Sequence, residues 1–121
     1  MIQPSILNKE SIYEFLEEHG NSRIKRELIS FWGRHPNTKF NIHAVCFALD
    51  CGKLEAERAL KDMVNTGLVN NHTSDGLALY SLTRDEKMRK IILELANLSY
   101  DQWNVITKRI EQRSGVTKVT V

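Results

Sequence analysis

Two cysteines in 121 residues are too few for a disulfide framework. With His43, which shares a helix face with Cys46, Cys46 and Cys51 still fall short of the ligand set a closed zinc site requires. The expectation is therefore no metal and no cofactor, with both thiols reduced and turned inward. No apolar run approaches the roughly 18 residues that span a bilayer. The opening MIQPSILNKE lacks the basic-then-apolar order of a secretory signal, so a cytoplasmic location is expected. Catalytic signatures are missing too: there is no glycine-rich phosphate loop, no nucleophile elbow and no Asp/His pair at motif spacing. The expectation is a protein that is not an enzyme. Internal repeats and low-complexity segments are absent, and 17 Lys and Arg stand against 15 Asp and Glu, a net charge of only +2.

What is present is an ordinary globular composition, 41% hydrophobic and 26% charged, which fits one domain with a single core. Ile12, Phe15 and Leu16 predict a helix over 9–19, with Glu14, Glu17 and Glu18 opposite. Ile24, Leu28, Phe31 and Trp32 predict a second over 22–34. Pro36 disfavours helical geometry at His35 and ends it. The run from Phe40 to Thr83 organises the rest. Asn41 caps a helix over 41–50 with Ile42, Val45, Cys46 and Leu49 on one face. A longer helix over 53–66 turns Ala56, Ala59, Leu60, Met63 and Val64 inward and closes at Gly67. A hairpin over 68–82 then turns at Ser74-Asp75-Gly76.

Thr83-Arg84-Asp85-Glu86 reads as a capping box that starts a helix at Arg84, predicted over 84–97. Ser99-Tyr100-Asp101-Gln102 reads as a second box for a helix over 100–113, expected to stop near Ser114-Gly115. The tail 116–121 alternates like a strand. The fold class is therefore α+β and mostly helical.

Leu49, Cys51, Ala56-x-x-Ala59-Leu60-x-x-Met63, Gly67-Leu68-Val69, Asp75-Gly76 and Leu82-Thr83 together resemble the winged helix-turn-helix superfamily. Leu82-Thr83 into a long helix, then Leu98-Ser99 into a final one, is similar in order to the MarR family of bacterial and archaeal regulators. The wing, Asn70 to Gly76, departs from that family's Asp-Arg-Arg type signature and holds no Arg or Lys. The resemblance implies a winged-helix core over 21–83, an N-terminal helical extension over 1–20 and C-terminal dimerisation helices over 84–121. It further implies a homodimeric transcriptional regulator of double-stranded DNA, with a small-molecule effector held between the dimerising helices and the core.

On that resemblance the outer face of helix 53–66 enters the major groove. Arg58 could grip a guanine, Lys53 or Lys61 a phosphate, and Glu55 a cytosine amino group. Asn71, His72, Thr73 and Ser74 on the wing could reach sugar and phosphate oxygens. Arg23, Lys25, Arg26, Arg84 and Lys87 could anchor flanking phosphates, or else balance the acidic first helix. Ile91, Leu95, Trp103, Ile106 and Ile110 exceed what a three-helix core needs, and the surplus is expected at a two-fold interface.

Charge distribution complicates this picture. Residues 21–41 hold five basic side chains against one Glu, whereas 42–83 hold three against five acidic ones. The alternative is a winged-helix module that contacts protein and never touches nucleic acid. Outside the resemblance, Glu57 and Lys61 would simply pair at i,i+4 on a solvated helix.

Overall fold

The structure is a computed structural model that describes the backbone of residues 9–119 and the side chains of 11–112. Helix α1, Lys9–His19, turns Tyr13, Phe15, Leu16 and His19 into the interior. Ser22 ends the following bend and caps α2, Arg23–Arg34, its hydroxyl accepting from the Lys25 amide at 3.3 Å. Ile24, Leu28, Ile29 and Trp32 are buried along α2, and the Trp32 indole donates to the Thr38 carbonyl at 3.0 Å. That bond holds the turn at Pro36 against the helix it follows.

Two residues, Lys39–Phe40, form strand β1, which the sequence does not announce because so short a segment has no period to read. It pairs antiparallel with the third strand, Lys39 opposite Ser81 and Phe40 opposite Tyr80. Asn41 then caps α3, Ile42–Leu49, accepting from the Ala44 amide at 2.8 Å. The helix closes with Asp50 in the left-handed region at φ 50, while the Cys51 amide donates back to the Cys46 carbonyl at 3.2 Å. This is the six-to-one bond of a Schellman ending, and it sets the turn between α3 and α4.

Helix α4, Lys53–Asn65, buries Ala56, Ala59, Leu60 and Met63, with Val64 half-buried. Small alanines let it lie close to α2 and α3. Gly67, at φ +86, and the Leu68 amide donating to the Met63 carbonyl at 3.0 Å end α4. Strands β2, Val69–Ser74, and β3, Leu77–Leu82, face each other from Val69–Leu82 to Ser74–Leu77. Asp75 and Gly76 both take positive φ between them, as a two-residue type I′ hairpin requires. The sheet runs β1-β3-β2, and β2 packs against α4.

Helix α5 spans Glu86–Ala96, starting two residues later than the capping-box reading places it. The Thr83 hydroxyl accepts from the Asp85 amide at 3.1 Å, and Asp85 is the cap, accepting from Lys87. The second box is reciprocal as expected: Ser99 N–H donates to Gln102 Oε1 at 2.9 Å and Gln102 N–H to Ser99 Oγ at 3.1 Å. Helix α6, Tyr100–Val119, passes through Ser114 and Gly115, so the expected stop there is wrong. One helical glycine costs only about 1 kcal/mol, and extending an existing helix needs no new nucleus. The alternating tail continues the helix up to Val119, and residues 120–121 lie outside those described, as do 1–8.

Candidate nucleic-acid interface

With its small residues against α2 and α3, α4 leaves Lys53, Leu54, Glu55, Glu57, Arg58 and Lys61 exposed. These are the residues the sequence places on the outer face. The wing beside it presents Asn71, His72, Thr73 and Ser74, all exposed along β2. Leu77, 46% exposed, adds an apolar side chain at the same hairpin. Arg84 and Lys87 are exposed after β3. Arg23 is exposed and pairs with Glu27 one turn along α2.

Lys25 and Arg26 require a correction. Both are buried, and both are held inside the chain, so they are not free to anchor phosphates. Lys25 Nζ reaches Asp62 on α4 at 3.1 Å and Asn21 at 3.0 Å. Arg26 donates to the Gly20 carbonyl at 3.0 Å and to Glu111 on α6 at 2.8 Å. Burial pushes the Arg26 guanidinium below its usual range, and Glu111 opposes that push. Their partners are Asp62 and Glu111, not the acidic first helix.

The first of these pairs also changes the balance on α4. Asp62 is compensated by Lys25, so the exposed face carries Lys53, Arg58 and Lys61 against Glu55 and Glu57 only. A helix whose charges cancel in sequence, three basic against three acidic, therefore presents a small positive excess. A shallow depression of about 310 Å³ between α2 and α4, with Arg58 and Glu55 on its rim, borders this face.

A second link joins α1 to the end of α4: His19 Nδ1 lies 2.9 Å from the Thr66 hydroxyl. Burial lowers the His19 pKa, Glu18 opposing and Lys25 reinforcing the shift. No sequence signal identifies this histidine beyond its place on the inner face of α1.

The expected dimer residues divide. Leu95 and Ile110 are 4% and 0% exposed in the single chain, so they belong to its core and not to an interface. Ile91, Trp103 and Ile106 are half-buried. Among the described residues, Leu93, Tyr100 and Val105, at 42%, 77% and 58% exposure, are the large apolar side chains that α5 and α6 leave uncovered, and their sequence positions do not single them out. They sit where a helical period alone does not separate an inner stripe from its flank. An apolar groove of about 380 Å³ runs between α1 and α6, with Ile12, Leu98, Val105 and Ile106 on its walls. Another cleft of about 500 Å³ lies between α2, the end of α3 and α6, lined by Phe31, Arg34, Leu49, Trp103 and Thr107. The Thr107 hydroxyl is buried without a hydrogen-bond partner among the described residues.

Cys46 and Cys51 are free and half-buried, at the two ends of the Schellman turn that closes α3. An apolar pair at these two positions is what such a turn favours. Burial raises the Cys51 pKa, and Cys46 and Glu55 add to the rise. Among the described residues no three His, Cys, Asp or Glu side chains gather as a metal site would need. No helix among them is long and apolar enough to cross a membrane.

No protein-family model matches the chain, and no curated protein matches it in sequence. Solved structures do. The heme sensor protein PefR from Streptococcus agalactiae, in complex with heme, superposes with a TM-score of 0.50 at 18% identity, covering 88% of this chain and 83% of PefR. PefR with heme and carbon monoxide gives 0.50 and 18% over 86% and 82%. A mutant of ZitR from Lactococcus lactis gives 0.51 at 15% identity over 93% and 92%. At such identities the likeness is one of fold, and it extends over the terminal helices as well as the core. The chain has the α+β winged-helix architecture, with added N- and C-terminal helices, that PefR and ZitR share.

Proposed function

We propose that the chain is a dimeric, cytoplasmic transcriptional regulator, without enzymatic activity, that reads double-stranded DNA with α4. The observation that carries this reading is the exposed outer face of α4, where the Lys25–Asp62 pair leaves Lys53, Arg58 and Lys61 in excess. Arg58 sits centrally enough for a bidentate contact to guanine, with Lys53 and Lys61 on phosphates and Glu55 on a cytosine amino group. Asn71, His72 and Ser74 supply neutral hydrogen bonds to the backbone, and Arg23, Arg84 and Lys87 the flanking charges. Dimerisation uses Leu93, Tyr100 and Val105 together with the outer edges of Ile91, Trp103 and Ile106. Two copies of α4 then meet successive half-sites. A small-molecule effector would occupy the cleft between α6 and the core, where Phe31 and Trp103 offer apolar walls and Thr107 an unused hydroxyl.

Binding to random duplex DNA across a salt series tests this reading. Phosphate contacts release counterions, so log affinity should fall linearly with log salt, and Lys61→Gln should lower that slope by about one. A slope near zero would remove the regulator reading. It would favour the second one, contact with protein, for which Phe47 on α3 at 91% and Leu54 on α4 at 61% exposure are the specific observations.

A further inference from the structure

Behind the wing, away from the residues assigned above to base reading, lies an open cavity of about 440 Å³ between the α2–β1 turn, the end of β3 and the start of α5. Its lining is basic: Lys39 from β1, Arg84 from the β3–α5 link and Arg89 from α5, with Asn37 and Ser81 as neutral hydrogen-bonding groups. No carboxylate lines it. None of the three cations forms an ion pair with a described residue. Asp85 and Glu86, the nearest acids along the chain, do not line the cavity, and Asp85 caps α5 through the Lys87 amide.

Arg89 is fixed in place. Its Nε donates to the Thr83 carbonyl at 2.7 Å and one Nη to the Pro36 carbonyl at 3.1 Å. These two carbonyls belong to the segments that bracket the cavity. The two bonds use two of the five guanidinium donors, so the remainder of the fork is left for a ligand in a pose already set. Lys39 and Arg84 are exposed at the rim and can close on whatever the fork holds. Three like charges drawn together without a counter-charge repel one another, and an anion between them reverses the sign of that interaction. A planar fork flanked by two flexible cations matches the oxygens of a phosphate.

From this geometry we propose that the cavity is a binding site for a phosphate-type oxyanion, distinct from the reading face of α4. The phosphate can come from the DNA backbone or from a small phosphorylated molecule, since the recognising chemistry is the same. The site does not depend on α4 reading bases.

The test uses the full chain and inorganic pyrophosphate as the probe, with sodium chloride at matched ionic strength as the control. Nitrogen-proton NMR of the arginine Nε groups follows Arg89 directly. The expected result is a saturable shift of the Arg89 Nε signal that chloride does not reproduce. Its affinity should weaken roughly tenfold or more in Lys39→Gln/Arg84→Gln, a variant that keeps Arg89 and both its backbone bonds. A response no larger than that to chloride, or equal binding by the double variant, would overturn the site.

DNA titrations of the same two proteins separate the sources. If the backbone supplies the phosphate, pyrophosphate competes with duplex and the double variant loses about two from the salt slope, against about one for Arg84 as a flanking charge alone. If a small molecule supplies it, pyrophosphate binding is lost in the double variant without that competition. Absence of DNA binding altogether would sink the regulator reading and leave the pyrophosphate result standing on its own.

Discussion

Gly33 is a point of close approach between α2 and α5, and replacing it with alanine sets two effects of opposite sign against each other. A Cβ built there would lie 2.7 Å from the Ala96 Cβ and 3.0 Å from the Ile92 carbonyl oxygen. Both obstacles are rigid, one a helix-bound methyl and the other main chain. Relief to an ordinary carbon–carbon separation requires the helices to part by roughly 1 Å. Trp32, Ile29, Ile92 and Leu95 pack in that region with almost no exposure, and a gap of this size forfeits roughly a quarter to a half of each affected dispersion contact. Overpacking of this kind costs about 1–3 kcal/mol. Against it stands the gain from alanine over glycine in a helix, about 1 kcal/mol at most in a last turn. The net expectation for Gly33→Ala is a loss of up to about 2 kcal/mol, or a fall of up to roughly 10 °C in Tm at fixed protein concentration. Urea denaturation of the variant, with Ala96→Gly added as a second-site change, measures it. The double variant should recover part of the loss, the contact with the Ile92 oxygen persisting. If Gly33→Ala is instead more stable by the helix increment alone, α2 and α5 do not meet as described.

Three further outcomes follow from the buried polar groups. Asp62→Asn leaves Lys25, 6% exposed, without its carboxylate and should cost about 1–2 kcal/mol, discounted because Asp62 itself is largely solvated. Lys25→Met/Asp62→Leu should restore most of it, and a neutral Asp62→Asn in denaturant titration would show that Lys25 is not enclosed. Burial holds the folded His19 pKa below the usual histidine value of about 6.5, so the unfolded chain binds the proton more readily. Its contribution is therefore fully present above about pH 6.5, and it is lost as pH falls from there through the folded value. Denaturant midpoints between about pH 8 and 5 should show this slope, and His19→Gln should flatten it. Cys51, its thiol pKa raised by burial and by Cys46 and Glu55, should react with iodoacetamide at neutral pH more slowly in the folded protein than in urea. Equal rates would contradict its burial in the turn.

The local features of this fold are visible in the sequence because each rests on neighbours. The inward set Ala56, Ala59, Leu60 and Met63 follows from a helical period, and the turn at Asp75-Gly76 from two residues that tolerate positive φ. The Ser99–Gln102 box likewise needs only a four-residue window. Strand β1 escapes notice because Lys39 and Phe40 acquire their conformation from Ser81 and Tyr80, some forty positions away. The start of α5 shifts for a related reason: Thr83 and Asp85 can each cap a helix, and the choice depends on where β3 delivers the chain.

The same distinction explains the candidate site. A run of basic residues at the start of α2 looks like a phosphate contact because sequence records the charges and not their partners. The carboxylates that answer Lys25 and Arg26 lie 37 and 85 residues further on, at Asp62 and Glu111. Only the packing of α2 between α4 and α6 brings them together. Once it does, two conclusions reverse at once: Lys25 and Arg26 leave the list of possible DNA anchors, and α4 loses one of its acidic charges. Those two residues hold α4 and α6 to a common strut, α2, while His19 and Thr66 tie the end of α4 to α1. Buried charge is poor value as stability, because desolvation offsets much of the Coulomb gain. Its effect here is positional, since a displacement of α4 along α2 would strand Lys25 without its carboxylate. The outer face of α4 is therefore held in a definite direction by residues that do not themselves face outward.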